Sequence, residues 1–454
     1  MEKTGFTNNT SPYSNLAALI DAGQHRELRE ATARANAIDI ADEMEALDER
    51  QRVVLFRSLS KDKATVVFSY LSQEARENLI KILTDPELAR IINDLFLDDA
   101  ADFVEEMPAD VVKRLLRNAS DDTRKQINQL LQYHEDSAGS IMTTEYVDLK
   151  EEMTVEAAFR RIREVGMDKE TIYTCYVTDS ERILNGVVTV RALLLARMED
   201  KIGDIMTPNV ICVTTGDDRE RVAELFRKYD IIALPVVDAE RRLVGIITVD
   251  DAMDVIQEEN TEDFQLMAAM SPSDDPYLST RVLVLARKRI LWLLVLMVSA
   301  FFTGGIITHY ESLFAAFPAL IAAIPMLMDT GGNAGSQSST LIIRGLAVGE
   351  ISLADWPAIF WKEFRVSLLV GVFLGCINVV YKWALSGNFI LGLTVGMALF
   401  VTVVFAKLVG GMLPLLAKAM RLDPALMAAP IVTTIVDAGC LLFYFRTAEM
   451  VMRI

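Results

Sequence analysis

The sequence predicts a multidomain membrane protein with four parts in order: an all-α N-terminal helical solenoid, an α/β tandem repeat, a linking helix and a five-helix transmembrane domain. Three observations carry that prediction. Charge is divided unevenly along the 454 residues: from Arg281 to the end there are 13 Lys+Arg and 8 Asp+Glu, which leaves 32 and 55 before Arg281. Apolar residues recur at helical spacing before residue 134, and a segment of about 60 residues occurs twice between 141 and 249. Five apolar stretches, each near the ~20 residues that cross a bilayer, follow residue 289.

Residues 1–36 open on a polar Asn/Ser/Thr-rich stretch, expected to be loosely ordered, with no apolar core of a signal peptide. From 37 to 136 we expect a helical N domain. Val53, Val54, Phe56 and Leu59, then Val66, Val67, Tyr70 and Leu71, then Leu79, Ile80 and Leu83 recur at helical spacing. The breaks 60-SKDK, 72-SQEA, 84-TDPE and 120-SDDT supply N-cap residues every 10–14 positions. Short amphipathic helices in succession bury their stripes on one another as a small solenoid. In the acidic patch 94-DLFLDDAADFVEEM-107, Asp98 and Asp99 either lie on a solvated face or ligate a hard cation.

The repeat aligns 141-IMTTEYVDLKEEMTVEAAF-159 with 205-IMTPNVICVTTGDDRERVAEL-225 at an offset of 64. It also aligns 176-YVTDSERILNGVVTV-190 with 235-PVVDAERRLVGIITV-249 at an offset of 59. Each copy reads strand, helix, strand, turn, strand, helix, with a β-branched last strand. This tandem resembles a pair of cystathionine-β-synthase-type (CBS) domains, here 137–200 and 201–256. Such pairs are regulatory modules that bind nucleotides or metal ions and do not themselves catalyse. After the second copy, a linking helix is expected over 257–280. In 250-DDAMDVIQEENTEDFQLM-267, Asp251, Asp254 and Glu258 share one face, with Glu259, Glu262 and Asp263 beside it. Like charges at this spacing destabilise a bare helix, so the face is either solvated or neutralised by a divalent cation.

The transmembrane domain is placed at 281–454, with spans near 290–308, 313–331, 364–381, 389–414 and 425–446. Arg281, Arg287, Lys288 and Arg289 precede the first span, as the positive-inside rule requires of a cytoplasmic flank. The loop holding Arg344, Lys362 and Arg365 then falls inside, and five spans put the C-terminus outside. Three histidines, four widely spaced cysteines and no HExxH or GxSxG motif give hydrolytic chemistry little basis, so no enzyme is expected. The acidic N-terminal part argues against nucleic acid as a partner and suits cations; membrane lipid is the expected surround of the spans.

Two carboxylates sit deep in apolar stretches. Asp329 lies at a helix end in the headgroup region or handles an ion, and Asp437, with Thr433 one turn before it, stands within the last span. The segment 325-PMLMDTGGNAGSQSSTLIIRGLA-347, with Gly331, Gly332 and Asn333, is too polar to face lipid and is expected to be a pore-facing break between the second span and a following helix.

The segments 325-PMLMDTGGNAGSQS-338, 407-KLVGGMLP-414 and 423-DPALMAAPIVTTIVD-437 resemble the MgtE family of magnesium channels, and the likeness covers nearly the whole chain. It implies a homodimer with one pore on the two-fold axis, lined by the second and fifth spans, in which Asp437 of each subunit binds Mg2+. Mg2+ keeps several waters, so one or two carboxylates around a hydrated ion suit it. The resemblance also implies regulatory Mg2+ at Asp218, Glu220, Asp230, Asp251, Asp254, Glu259, Glu262, Asp263 and Asp423, with Asp98 or Asp99 bridging the N domain to the CBS pair. With little cytosolic Mg2+ these carboxylates repel and the pore opens; with Mg2+ bound, the linking helix holds it shut. ATP at the CBS pair is a further implication. The alternative is a broader Co2+/Mn2+ carrier regulated by the CBS pair.

Overall fold

The computed structural model describes residues 16–273, 277–278 and 280–452, so residues 1–15 of the polar N-terminus and positions 274–276 and 279 of the linking segment lie outside the described residues. The chain divides into two compact units, Met1–Val255 and Ile256–Ile454.

The first unit begins with helices α1 (Leu16–Asp21) and α2 (His25–Arg34), where a loosely ordered stretch was expected. Leu16 and Leu28 explain the difference: both are buried in the same apolar core as the helices that follow, so tertiary burial orders a polar-looking segment. Eight more helices run from α3 (Ala37–Glu45) to α10 (Asp121–Leu130). The four breaks in the pattern are all helix starts: Ser60, Ser72, Thr84 and Ser120 each stand at an N-cap, and Ser72 and Ser120 accept a backbone N–H in their first turn. The core is stitched by Phe68, whose ring meets Phe56 and Phe103 edge-on at 6.2 and 5.2 Å. Of the apolar residues expected there, Val67 and Leu71 are buried, whereas Val66 and Tyr70 are exposed, and Ala64 and Phe68 complete the buried face.

In the repeat, β1 (Asp148–Leu149), α11 (Val155–Val165), β2 (Thr174–Thr178), β3 (Leu184–Thr189) and α12 (Val190–Leu195) form the first copy. After α13 (Ile202–Ile205), the strands β4 (Thr207–Pro208), β5 (Val213–Thr214), α14 (Arg219–Tyr229), β6 (Ala233–Val237) and β7 (Leu243–Thr248) form the second. The two sheets run β1-β2-β3-β4 and β5-β6-β7. The copies exchange their leading segments: β4 of the second pairs with β3 of the first, and Thr143 of the first pairs with Ile246 of the second. This exchange accounts for the repeated glycines. A Cβ on Gly186 would stand 2.6 Å from Met206 Sδ, and one on Gly245 would stand 2.7 Å from Met142 Sδ.

Helix α15 (Val249–Met267) leaves β7 directly and ends at Met267, so it starts inside the stretch assigned to the second repeat copy and stops well before residue 280. In the second unit follow α16 (Val282–His309), α17 (Glu311–Ala316), α18 (Ile324–Ala347), α19 (Trp356–Ser386), α20 (Phe389–Ala419) and α21 (Ala429–Met452). Among the described residues, four stretches are long and apolar enough to cross a membrane: Val282–His309, Leu353–Ser386, Phe389–Ala419 and Pro424–Met452. Helix α18 spans about 36 Å at 1.5 Å per residue but carries a polar face.

The second span was expected at 313–331; those residues form α17, a 3-10 turn over Pro318–Ala323 and only the start of α18. The expected break at 325–347 is continuous helix, and Arg344, Lys362 and Arg365 lie on α18 and α19 instead of in a loop. The glycines do not break α18 because they are contact points. A Cβ on Gly331 would stand 2.7 Å from Thr402 Cγ2, one on Gly332 2.9 Å from Thr433 Cγ2, and one on Gly335 2.7 Å from Val432 Cγ1. Close approach of α20 and α21 compensates for the weak helix propensity of glycine.

Candidate functional site

The first unit gathers carboxylates around the start of α8 (Leu97–Glu106). The Leu97 N–H donates to Glu145 Oε2 at 3.1 Å, and the Asp99 N–H donates to Asp98 Oδ1 at 2.9 Å. Oxygen atoms of Asp98, Glu145 and Glu170 lie within 4.8 Å of one another. Ligands on opposite sides of Mg2+ stand ~4.2 Å apart, so a small closure or a bridging water completes a site of this width. The Thr248 hydroxyl donates to Asp251 Oδ2 at 2.5 Å, which holds that carboxylate at the first turn of α15.

These groups raise one another's pKa. Burial, then the charges of Asp251, Glu170 and Asp99, pushes Asp98 well above the usual carboxylate range. Burial, then Asp251, Asp250, Asp99 and Glu145, lifts Glu170 to about 8, and burial is also the main cause of Asp251 rising to about 6. Asp99 and Asp254 are raised too, again chiefly by burial. Glu170 Oε2 is buried with no hydrogen-bond partner. With oxygen donors and no Cys or His, the chemistry of this cluster suits a hard cation.

Asp98, Asp99, Asp251 and Asp254 thus lie close enough to act on one another's charge. Glu145 and Glu170 went unrecognised in the sequence, yet each carried a signal. Glu145 stands where the second repeat copy has Asn209, so its charge belongs to one copy alone. The offset between copies falls from 64 to 59 after α11, and Glu170 lies in the stretch that makes the first copy longer. By contrast, Asp218 caps the start of α14 through the Glu220 N–H, whereas Asp230 ends that helix in a left-handed conformation (φ 51°). About 16 Å of helix separates them, so one chain does not combine Asp218 and Glu220 with Asp230.

In the second unit, burial and the charges of Asp423, Glu259 and Glu262 lift Asp263 to about 6. Asp423 Oδ1 accepts the Ala425 N–H at 2.7 Å, starting the turn before α21. Beside this group Leu266 packs with Ile343, Ala425 and Ala428, which seats the end of α15 against the inner part of α18.

Within the bundle, Gly332 against Thr433 marks where α18 meets α21. Asp437 lies one turn beyond Thr433, half-buried, and among the described residues its carboxylate has no hydrogen-bond or ion-pair partner. Asp329, Asn333, Gln337, Thr340 and Arg344 form an exposed polar stripe along α18 at helical spacing. Asp329, in the second turn of α18, stands at one end of that stripe; Gly331 and Gly332 are buried beside it as packing positions. Thr340 and Arg344 carry the stripe past Gln337 toward the end of α18.

Residues 324–447 match the MgtE family of divalent cation transporters, residues 35–136 match the MgtE intracellular N domain, and 138–199 and 202–258 match CBS domains. The magnesium transporter MgtE of Thermus thermophilus is 39% identical over 442 residues, 96% of this chain and 98% of that protein. The MgtE of Bacillus subtilis is 30% identical over 433 residues, 95% of this chain and 96% of its own length. The chain belongs to the MgtE family. Among solved structures, the cytosolic domain of the Mg2+ channel MgtE in complex with ATP has a TM-score of 0.51 and 39% identity over 54% of this chain and 99% of that one. The soluble part of a magnesium transporter has the same TM-score at 32% identity, over 54% and 97%. MgtE membership and the apolar helices make this a multi-pass membrane protein with cytoplasmic N-terminal domains, a transporter and not an enzyme.

Proposed function

We propose that this MgtE protein is a Mg2+-selective channel for magnesium uptake, closed by cytosolic Mg2+. The observation that carries the proposal is Asp437: a half-buried carboxylate without a partner among the described residues, on a membrane helix, one turn from the contact of Thr433 with Gly332, which lies beside the polar stripe of α18. Ionisable groups at such depth are retained for ion handling. In a homodimer with five spans per subunit and the C-terminus outside, Asp437 and its counterpart in a second copy face one another across the path. Their mutual repulsion favours a divalent ion between them, and Thr433 and Asn333 supply oxygens to its water shell. Asp329 stands at the far end of the stripe, and Gly331 and Gly332 let α18 approach closely enough to form the path.

The cytosolic carboxylates are the sensor. Asp98, Glu145, Glu170 and Asp251, with Asp99 and Asp254 beside them, hold Mg2+ within the first unit. Glu259, Glu262, Asp263 and Asp423 hold it where α15 ends against α18, and Asp218, Glu220 and Asp230 complete sites with a second copy. Mg2+ at these groups neutralises their repulsion and favours the closed arrangement, so pore state and sensor affinity are reciprocally coupled. The solved cytosolic domain with ATP supports nucleotide binding at the CBS pair.

Patch recording of the reconstituted protein tests this, with Mg2+ as the permeant cation and cytosolic Mg2+ stepped from nearly none to several millimolar. Unitary currents at low Mg2+ that vanish at high Mg2+ are expected. Saturating Mg2+ flux without unitary currents, or equal flux of Co2+ and Mn2+, would replace the channel by a broader carrier.

A further inference from the structure

Among the described residues, Asp98 and Lys407 are the buried charged side chains, and nothing in the ion path or the sensor uses the second. Lys407 lies on α20 inside the membrane part, where an ammonium is costly unless it is partnered. Its Nζ donates to Ser338 Oγ of α18 at 3.4 Å, and the Ser338 hydroxyl in turn donates to Glu363 Oε2 of α19 at 2.6 Å. The single hydroxyl proton goes to the carboxylate and the oxygen lone pair receives the ammonium, so one serine bridges opposite charges on two other helices.

The surrounding helices are shaped for this bridge. Gly411 leaves space for Glu363: a Cβ there would stand 3.0 Å from Glu363 Cγ. A Cβ on Gly410 would collide with the Gly335 carbonyl oxygen, one turn from Ser338. Ser338 is fully buried, whereas its neighbour Gln337 is exposed on the polar stripe. Consecutive helical residues point about 100° apart. Turning α18 enough to bring Ser338 outward would therefore withdraw Gln337 and Asn333 from their present face and leave the buried Lys407 and the half-buried Glu363 without their bridge.

We propose that Lys407, Ser338 and Glu363 form a buried ionic clasp that sets the rotation of α18, with Ser338 as the positioning residue that holds the polar stripe toward the ion path. The path itself rests on the channel reading above; the clasp rests on the bridge between three helices.

The test uses the full-length protein in liposomes, with Gln337→Cys as a probe modified by a membrane-impermeant methanethiosulfonate and quantified by mass spectrometry. Mg2+ flux is measured in parallel with Gln337 intact. Glu363→Gln strands the buried Lys407 ammonium and Lys407→Met leaves the half-buried Glu363 carboxylate without its partner, so each should slow labelling and flux about tenfold. The paired substitution removes both charges and should restore both readings to within about threefold of the parent, because coupled neighbours are non-additive. Lys407→Arg should retain most of the labelling. Labelling unchanged in the single variants, or a pair as impaired as the two losses combined, overturns the clasp. Should a charge variant fail to fold, Ser338→Ala removes one hydroxyl and keeps both charges; slower labelling supports the proposal and parental labelling overturns it. Labelling that follows this pattern in a protein without Mg2+ flux would refute the channel reading and leave the clasp standing.

Discussion

Glu170→Gln keeps the shape of a side chain whose charge is held at a cost, and the structure sets the size of the effect. Burial and four neighbouring carboxylates lift Glu170 from 4.5 to about 8. At 1.36 kcal/mol per pKa unit that is roughly 5 kcal/mol, and because the side chain is only half-buried, screening reduces it to about 2–3 kcal/mol. The folded-state pKa lies above the unfolded one, so the stabilising proton is fully present below pH ~4.5 and is lost as pH rises through about 8. Asp251, raised to about 6, adds its loss earlier, from about pH 4 to 6. Without Mg2+, a soluble fragment ending at Met267 should therefore lose stability from pH 5 to 8, and Mg2+ should restore it most at pH 8. Glu170→Gln should raise the Mg2+-free melting temperature at pH 8 by about 4–10 °C and leave that at pH 5 nearly unchanged. The same variant should shrink the further rise that Mg2+ produces, since a ligand has gone. Scanning calorimetry at the two pH values, with and without Mg2+, reads all four quantities. A variant no more stable than the parent at pH 8, or a Mg2+ response of equal size at both pH values, would refute the mutual repulsion of these carboxylates.

Three other outcomes are expected. Asp437→Ala removes the charge that holds a divalent ion, so selective Mg2+ uptake into liposomes should fall at least about tenfold; normal selectivity would remove Asp437 from the path. Neutralising Asp251, Asp254 and Glu259 together should leave currents flowing at millimolar cytosolic Mg2+, and unchanged closure in patch recordings would take them out of the gate. Gly410→Ala places a methyl against the Gly335 carbonyl, so the detergent-purified protein should lose about 1–3 kcal/mol of stability, which a thermal melt followed by tryptophan emission detects because all four tryptophans lie in the second unit.

The helix starts at Ser60, Ser72, Thr84 and Ser120 were legible because N-cap preference is a local signal, with Ser72 and Ser120 each satisfying one nearby backbone N–H. The tandem repeat was legible because it is periodic. Less of the carboxylate cluster could be read. Asp98 and Asp99 announced themselves as a pair, but Glu145 and Glu170 join them only through the fold, from a loop and an inserted stretch with no shared spacing. The error at 325–347 has the same root: glycine propensity is local, and the contacts that keep α18 helical come from residues about 70 to 110 positions away.

By itself, then, the sequence determined that a charged, largely helical part comes first, that an internal pair of domains follows it, and that the C-terminal part is apolar enough to enter a bilayer. Composition and periodicity act over a few neighbouring residues, and those parts need nothing more. The tertiary structure alone decided which carboxylates meet, that the repeat copies exchange their leading segments, that α18 is unbroken, and that Lys407 finds Glu363 through Ser338. Each of these depends on the approach of residues far apart in the chain, where packing and the cost of an unpaired buried charge outweigh local preference.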